Sequence, residues 1–529
     1  MINRITTHLL IMGVITMIRV NAQIITGENK IPIVLYTSEA AGNIDTSDLE
    51  KMREMGTDAV VAADFSMTDY TRFTGKGLKI IPYQINVSNN YIVKFTDAYY
   101  TKWEAEGEEP YYAEWSYNTV ISEPAYENGQ KIGIRSSNNA TAGIMMYGPG
   151  YGQEIRYREL SENGNILIGY TAIFRLKIER YDPEIDLEKI EDSIVCILKI
   201  TASEILPGGS IGSDTVITGD TLRIKDFTEG VWKLDSLKYN LDGLASKYLK
   251  ESLRLNGSSK YSANFMQFIV NWGGVEGIRL IVDRVIVGDP RGFNVVERVP
   301  VISSYIQAQI SDFPNNEYIP AWHPLDEPGS IDNYEPFRIV NRIVDSLTNG
   351  KKLYISFNAG WNGRYGDTIV GVHWIYNTEE FKKRVNPGGI NLNSYIYDWP
   401  YKSNTSNYYK NNILLLTGGK FDIVSKNYDE FGICVQAFGQ YDINNEVTPA
   451  RIDTLLRVPS CEELLYLTNL GLLFGAKQVG FYTFYSANHT ISPFNGYRAR
   501  DGIKQSGTQI NKGGEETCRD NCRNGERKN

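Results

Sequence analysis

Along the chain, short runs of continuous apolar residues alternate with amphipathic stretches, and this rhythm is broken once. IPIVLYT at 31–37, DAVVAAD at 58–64 and LKIIPYQ at 78–84 are apolar almost throughout, as expected of strands buried on both faces. Residues 45–54, between the first two, read as a helix capped by Asp45 or Thr46. Strands spaced in this way, with a helix between them, are βαβ units. From 86 to 298 the period becomes two. IGYTAIFRLKIE (168–179), SIVCILKIT (193–201), GVWKLDSLKYNL (230–241), FMQFIVNWG (265–273) and IRLIVDRVIVGD (278–289) alternate between Gly, Asn and Asp turns, the pattern of an antiparallel sandwich.

The βα rhythm then resumes. Residues 299–310 and 334–347 read as helices, the second with Phe337, Ile339, Val340, Ile343 and Val344 on its apolar face. IPAWHPLDEPG at 319–329 is read as strand four running into a Pro-Gly turn. Residues 352–360, 392–400, 432–439 and 477–486 are strands five to eight, with helices over 408–429 and 461–474. Three strands precede the alternating block and five follow it, which is the number a β/α barrel requires. A doubly wound open sheet would use the same elements. The count and the placing of the carboxylates favour an α/β fold: a (β/α)8 TIM barrel with an antiparallel, jelly-roll-like β-sandwich inserted after strand three. The expected divisions are 23–85 (barrel, strands 1–3), 86–298 (sandwich), 299–497 (barrel, strands 4–8) and a polar, disordered tail at 498–529.

Composition narrows the function. The net charge of −9 lacks the basic footprint of a nucleic-acid binder. The 35 Tyr and 8 Trp suit stacking on sugar rings as well as Tyr-rich β structure. Residues 1–22 have the form of a secretory leader: Arg4 and His8, an apolar run at 9–18, then Val20-Asn21-Ala22 before a cleavage point. That run is too short for a comfortable membrane span, and no later stretch qualifies as one. The expectation is a secreted or periplasmic bacterial protein with a carbohydrate partner and no nucleic-acid partner; oligomeric state is left open. Of the five Cys, Cys196, Cys434 and Cys461 lie in apolar contexts and are expected in the core, while Cys518 and Cys522 are spaced to pair.

Barrel active sites form where strands end. Asp64 follows strand two, His323, Asp326 and Glu327 end strand four, and Asn358 and Trp361 lie in or after strand five. Asp398 and Trp399 end strand six, Gln436 is on strand seven and Tyr482 on strand eight. The set is carboxylates, amides and aromatics. It has no Ser-His-Asp arrangement, no nucleophilic Cys context, no phosphate-cradling loop and no metal-ligand spacing, so no cofactor or metal is expected. Two carboxylates with aromatic platforms are the equipment of glycoside hydrolysis. Glu327 is the first choice for the general acid, with Asp398 or Asp326 as its partner. His323, Asn358, Trp361, Trp399, Gln436, Tyr482 and Asp64 are the candidate substrate contacts. Plain structural roles compete at several positions: helix capping or ion pairing for Glu327, turn formation for Asp64 and Asp398, and loop anchoring for Trp361.

WHPLDEP at 322–328, YIYDWP at 395–400, VQAFG at 435–439 and the long segment 460–485 together resemble secreted β/α-barrel glycoside hydrolases. In the large retaining clan of such barrels strand four carries Asn-Glu and strand seven a Glu nucleophile. The resemblance implies an acid/base role for Glu327, with Asp326 in place of the Asn. Strand seven departs from the pattern: it presents Gln436, and Glu446 lies some ten residues further on. Other barrel glycosidases place their carboxylates after strands four and six, which matches Asp326 or Glu327 with Asp398. The alternating block resembles a carbohydrate-binding jelly roll. A non-catalytic glycan-binding protein on the same scaffold is the main alternative, and a lyase or other hydrolase is the next.

Overall fold

A computed structural model of the chain describes residues 31–83, 90–104, 114–115, 120–126, 129–135, 142–148, 160–162, 165–167, 170–205, 211–239, 266–313, 316–326, 328, 334–351, 353–357, 381–382, 384–394, 418–428, 430–437, 439–440, 459, 461–484 and 490–491. They fall into two compact units. One takes in the described residues within 1–97, 300–331 and 337–529, the other those within 98–299 and 332–336. The segments read as leader and tail lie outside the described residues.

The first unit is built on a seven-stranded sheet. Its order is Ser356–Phe357, Ile390–Ser394, Phe431–Gln436, Gln478–Tyr482, Ile33–Ala40, Ala59–Ala63, Lys79–Tyr83. Every neighbouring pair is parallel. The strands are largely buried on both faces, although Ile390–Ser394 carries Asn391, Asn393 and Ser394. Among the described residues helices lie in the connections on either side of Ala59–Ala63 and of Phe431–Gln436. Thr46–Glu54 follows the first strand, and Asp45 caps it by accepting from the Asp48 N–H at 2.9 Å. Tyr334–Leu347 and Cys461–Leu473 also stand where the sequence puts helices.

The sheet curls. The strand holding Tyr36 and the edge strand holding Ser356 are four places apart in the order, roughly 19 Å in a flat sheet at the usual strand spacing. Yet Tyr36 Oη and Ser356 Oγ are 2.6 Å apart. The expected strand four is much reduced, to a single parallel bridge between Trp322 and Leu353. Pro320 and Pro324 on either side explain this, because neither can donate to a ladder. The bridge still reaches both ways. The His323 N–H donates to the Pro82 carbonyl at 3.1 Å, and the Tyr354 N–H to the Trp322 carbonyl at 2.8 Å. The two edges of the curled sheet are therefore linked through Trp322 and His323.

The other unit contains two antiparallel sheets. One runs Lys233–Tyr239, Tyr170–Arg180, Ile278–Gly288, Gly129–Arg135, Val120–Tyr126, with Tyr100–Glu104 also on Ile278–Gly288. The other runs Ile211–Arg223, Ile194–Ile205, Met266–Trp272, Gly143–Gly148, Glu114–Trp115. Their alternating apolar residues form one core, with Phe174, Leu176 and Val282 from the first sheet against Leu198, Phe268 and Trp272 from the second. Cys196 is buried in this core, and Cys434 is buried in the first unit.

At both ends of the alternating block the structure is helical. Tyr91–Thr96 is a helix capped by Asn90, and Pro290–Glu297 is a helix capped by Asp289. The Asp289 carboxylate accepts from the Gly292 N–H at 2.6 Å and the Tyr99 N–H at 3.1 Å. Gly292 has no substitute here, since a Cβ would stand 1.8 Å from the Tyr99 carbonyl oxygen.

Candidate functional site

Alternate residues of the parallel strands share one face of the curled sheet. Val34, Tyr36, Ala59, Val61, Ile81, Ala321, Tyr354 and Cys434 form its buried cluster, with Tyr83 and Tyr482 packed against it. Toward the C-terminal ends of the strands this face becomes aromatic and polar. The His323 ring centroid lies 4.4 Å from that of Tyr83, 6.0 Å from Tyr354 and 6.2 Å from Tyr36. Tyr36 also stands 6.1 Å from Tyr482. Gln436, fully buried, is the register partner of Tyr482 and two residues beyond Cys434, on the same face. Three of the expected contacts, His323, Gln436 and Tyr482, thus belong to one end of the sheet.

His323 is held in one state. Its Nδ1 stands 2.8 Å from the Pro324 carbonyl oxygen, which can only accept, so Nδ1 carries the proton. Burial then pushes the pKa down to about 4, only partly offset by that hydrogen bond. The neutral ring presents Nε2 toward Asp326, 3.7 Å from its Oδ1. That carboxylate is 45% exposed, so it meets solvent as well as the imidazole. The turn carrying it is fixed from outside the sheet: the Leu325 N–H donates to Thr96 Oγ1 at 2.9 Å. Burial also raises the Tyr36 hydroxyl well above the usual phenol range, followed by the neighbouring Tyr354, Cys434 and Asp326. Both Tyr36 and Tyr354 stay protonated and act as neutral hydrogen-bonding groups.

Asp64 has a backbone role. It lies at the end of Ala59–Ala63 with φ +51°, and its N–H donates to the Tyr83 carbonyl at 3.1 Å. Asp tolerates the left-handed region better than most residues, which fits turn formation at this position. Glu327, Asn358, Trp361, Asp398, Trp399 and Glu446 lie outside the described residues, so of the candidate catalytic carboxylates only Asp326 is placed. Among the described residues no group of three or more His, Cys, Asp or Glu is arranged to hold a metal ion, and no helix is long and apolar enough to cross a membrane.

Sequence reasoning passed over Tyr36, Tyr83, Tyr354 and Ser356, which complete this face. Tyr83 could have been found as the aromatic at the end of its strand in LKIIPYQ, whereas Tyr36 lies in mid-strand, where a Tyr reads as core. Glu39 was also missed. It lies near the end of Ile33–Ala40, is only 5% exposed, and its Oε2 accepts from Asn43 Nδ2 at 3.0 Å. With Asp326 and Asp64 it is a third placed carboxylate at the end of a strand.

No family model matches this chain, and no curated protein does. Solved structures give distant likenesses. A putative glycoside hydrolase from Bacteroides vulgatus ATCC 8482 is 12% identical, over 32% of this chain and 76% of that one, with a TM-score of 0.20. A rhamnosidase from Novosphingobium sp. PP1Y is 7% identical, over 89% and 56%, with a TM-score of 0.25. A pyruvate kinase from Cryptosporidium parvum scores the same 0.25, at 9% identity over 85% and 65%. The neighbours therefore include glycosidases beside an enzyme of different chemistry, at scores that carry no argument about activity.

Proposed function

We propose that this chain is a glycoside hydrolase whose site lies at the C-terminal ends of a (β/α)8 barrel. The observation carrying the proposal is the convergence of His323, Tyr36, Tyr83, Tyr354 and Tyr482 on one face, directly beside Asp326 and hence beside Glu327 in the chain. Barrel closure through Trp322 is supported by the hydrogen bonds on both of its sides. In this reading the two antiparallel sheets are a sandwich inserted between strands three and four, and residues 1–22 are an export leader.

Glu327 serves as the general acid, protonating the leaving glycosidic oxygen. Asp398 or Asp326 is the nucleophile or the base for water, and Trp361 and Trp399 supply stacking platforms. His323, neutral and fixed in tautomer, offers Nε2 as an acceptor to a sugar hydroxyl. The test is a paired comparison of Glu327→Gln and Asp398→Asn with the wild-type full chain on a polysaccharide panel. Turnover should fall by about a hundredfold or more in Glu327→Gln while substrate retention persists. Wild-type turnover in that variant removes Glu327 from the mechanism.

A second reading is supported by Gln436. Where the large retaining clan carries a nucleophilic Glu, this chain holds a fully buried amide. A glycan-binding protein without turnover would account for that amide, and retention of a polysaccharide without product would identify it.

A further inference from the structure

The peptide group between Pro324 and Leu325 is held at both of its ends. Its carbonyl oxygen, on Pro324, stands 2.8 Å from His323 Nδ1 and accepts the proton that fixes the imidazole tautomer. Its N–H, on Leu325, donates to Thr96 Oγ1 at 2.9 Å. A peptide group is planar and rigid, so hydrogen bonds at its two ends stop it turning about the chain. One end then sets the ring of His323, and the other sets the direction in which the chain enters Asp326. Pro324 has no N–H to offer, so the Leu325 N–H is the first backbone donor after His323 by which this turn can be anchored. Thr96 is fully buried at the end of the helix Tyr91–Thr96. Its hydroxyl donates to the Ile92 carbonyl at 2.8 Å, which leaves the oxygen lone pairs for Leu325. The helix is tied in turn at its start, where the Ile92 N–H donates to Gln309 Oε1 at 2.9 Å.

We propose that Thr96 is a positioning residue for the site at Asp326, acting through the Pro324–Leu325 peptide group on the His323 ring and the Asp326 carboxylate together. Its effect on turnover rests on the glycosidase reading, and its effect on His323 does not. Thr96 lies 229 residues before Leu325, and nothing in the motif WHPLDEP points to it. Removing the hydroxyl leaves the Leu325 N–H unpaired and frees the peptide group to turn, which releases the Pro324 carbonyl from Nδ1. Catalysis depends on reacting groups held in narrow geometry, so loosening this turn lowers the rate of the chemical step more than the affinity for substrate.

The test compares Thr96→Val and Thr96→Ser with the wild-type full chain. Val keeps the branched shape and loses the hydroxyl, and Ser keeps the hydroxyl. Histidine-selective nitrogen NMR reports the tautomer directly, with the His323 signals identified by their loss in His323→Gln. The wild type and Thr96→Ser should show one tautomer protonated at Nδ1, and Thr96→Val a mixture shifted toward Nε2. On a polysaccharide that the wild type hydrolyses, kcat should fall about tenfold or more in Thr96→Val with KM within about twofold of the wild type, and Thr96→Ser should recover most of the loss. A wild-type imidazole spectrum in a folded Thr96→Val would overturn the proposal, and so would a wild-type kcat. In the wild type the Leu325 amide should exchange slowly with solvent; exchange at the rate of an open chain would overturn the proposal whether or not Thr96→Val folds. A wild type that hydrolyses no polysaccharide, with the spectra as expected, would remove the glycosidase reading and leave the hold of Thr96 on His323 standing.

Discussion

Burial of His323 among Tyr36, Tyr83 and Tyr354 makes its charge state differ between the folded and the unfolded chain. The folded pKa is about 4, against 6.5 for a free imidazole. Between these values the unfolded chain binds a proton that the folded chain refuses. Stability is therefore full above about pH 6.5, declines as the pH falls toward 4, and levels off below it. The contribution is on the order of 3 kcal/mol. The thermal midpoint of the wild type should fall from pH 7 to pH 5, and in His323→Gln this part of the dependence should be lost. An identical pH slope in the variant would contradict the buried neutral state. At this scale legibility was uneven. His323, Gln436 and Tyr482 were readable because they sit at strand ends beside unusual motifs. Tyr36 and Tyr354 were not, since a Tyr within an apolar run is indistinguishable from core until the sheet curls and brings strands four places apart into contact.

Among the elements, continuous apolar runs marked the parallel strands closely: 31–37 became Ile33–Ala40, and 78–84 became Lys79–Tyr83. The reading failed where a local signal overrode the period. Flanking prolines reduce strand four to one bridge, and Asp289 ahead of Pro290 starts a helix where alternation was expected to persist. That cap lends itself to measurement. Its carboxylate is 1% exposed and satisfies two N–H groups, from Tyr99 and Gly292. Asp289→Ala should cost about 2–4 kcal/mol by denaturant midpoint, above an ordinary cap, because a buried donor is left unpaired as well. Asp289→Asn, which keeps an acceptor, should cost markedly less. Equal losses in the two variants would mean that the second hydrogen bond contributes nothing.

For the molecule as a whole, the mixed α/β class and the division into βα and alternating segments were visible in hydrophobic period alone, because each class of sheet imposes its own pattern on every strand. Ion pairs joining distant strands were not visible, since they depend on register. Arg175 Nη1 stands 2.6 Å from the fully buried Asp283 carboxylate, and its guanidinium lies 4.6 Å from the Trp232 ring centroid. A bulge between Arg175 and Leu176 shifts the register at Asp283, which period counting cannot foresee. Asp283→Ala should cost about 3–5 kcal/mol by leaving a largely buried guanidinium uncompensated. A loss below about 1 kcal/mol would show the pair to be dispensable.

The central claim is catalysis on a glycosidic bond, and release of new reducing ends from a polysaccharide panel by the full wild-type chain tests it most directly. The account predicts release from at least one polysaccharide, with that release collapsing in Glu327→Gln. Retention on a polysaccharide with no reducing ends released would contradict it and identify a glycan-binding protein.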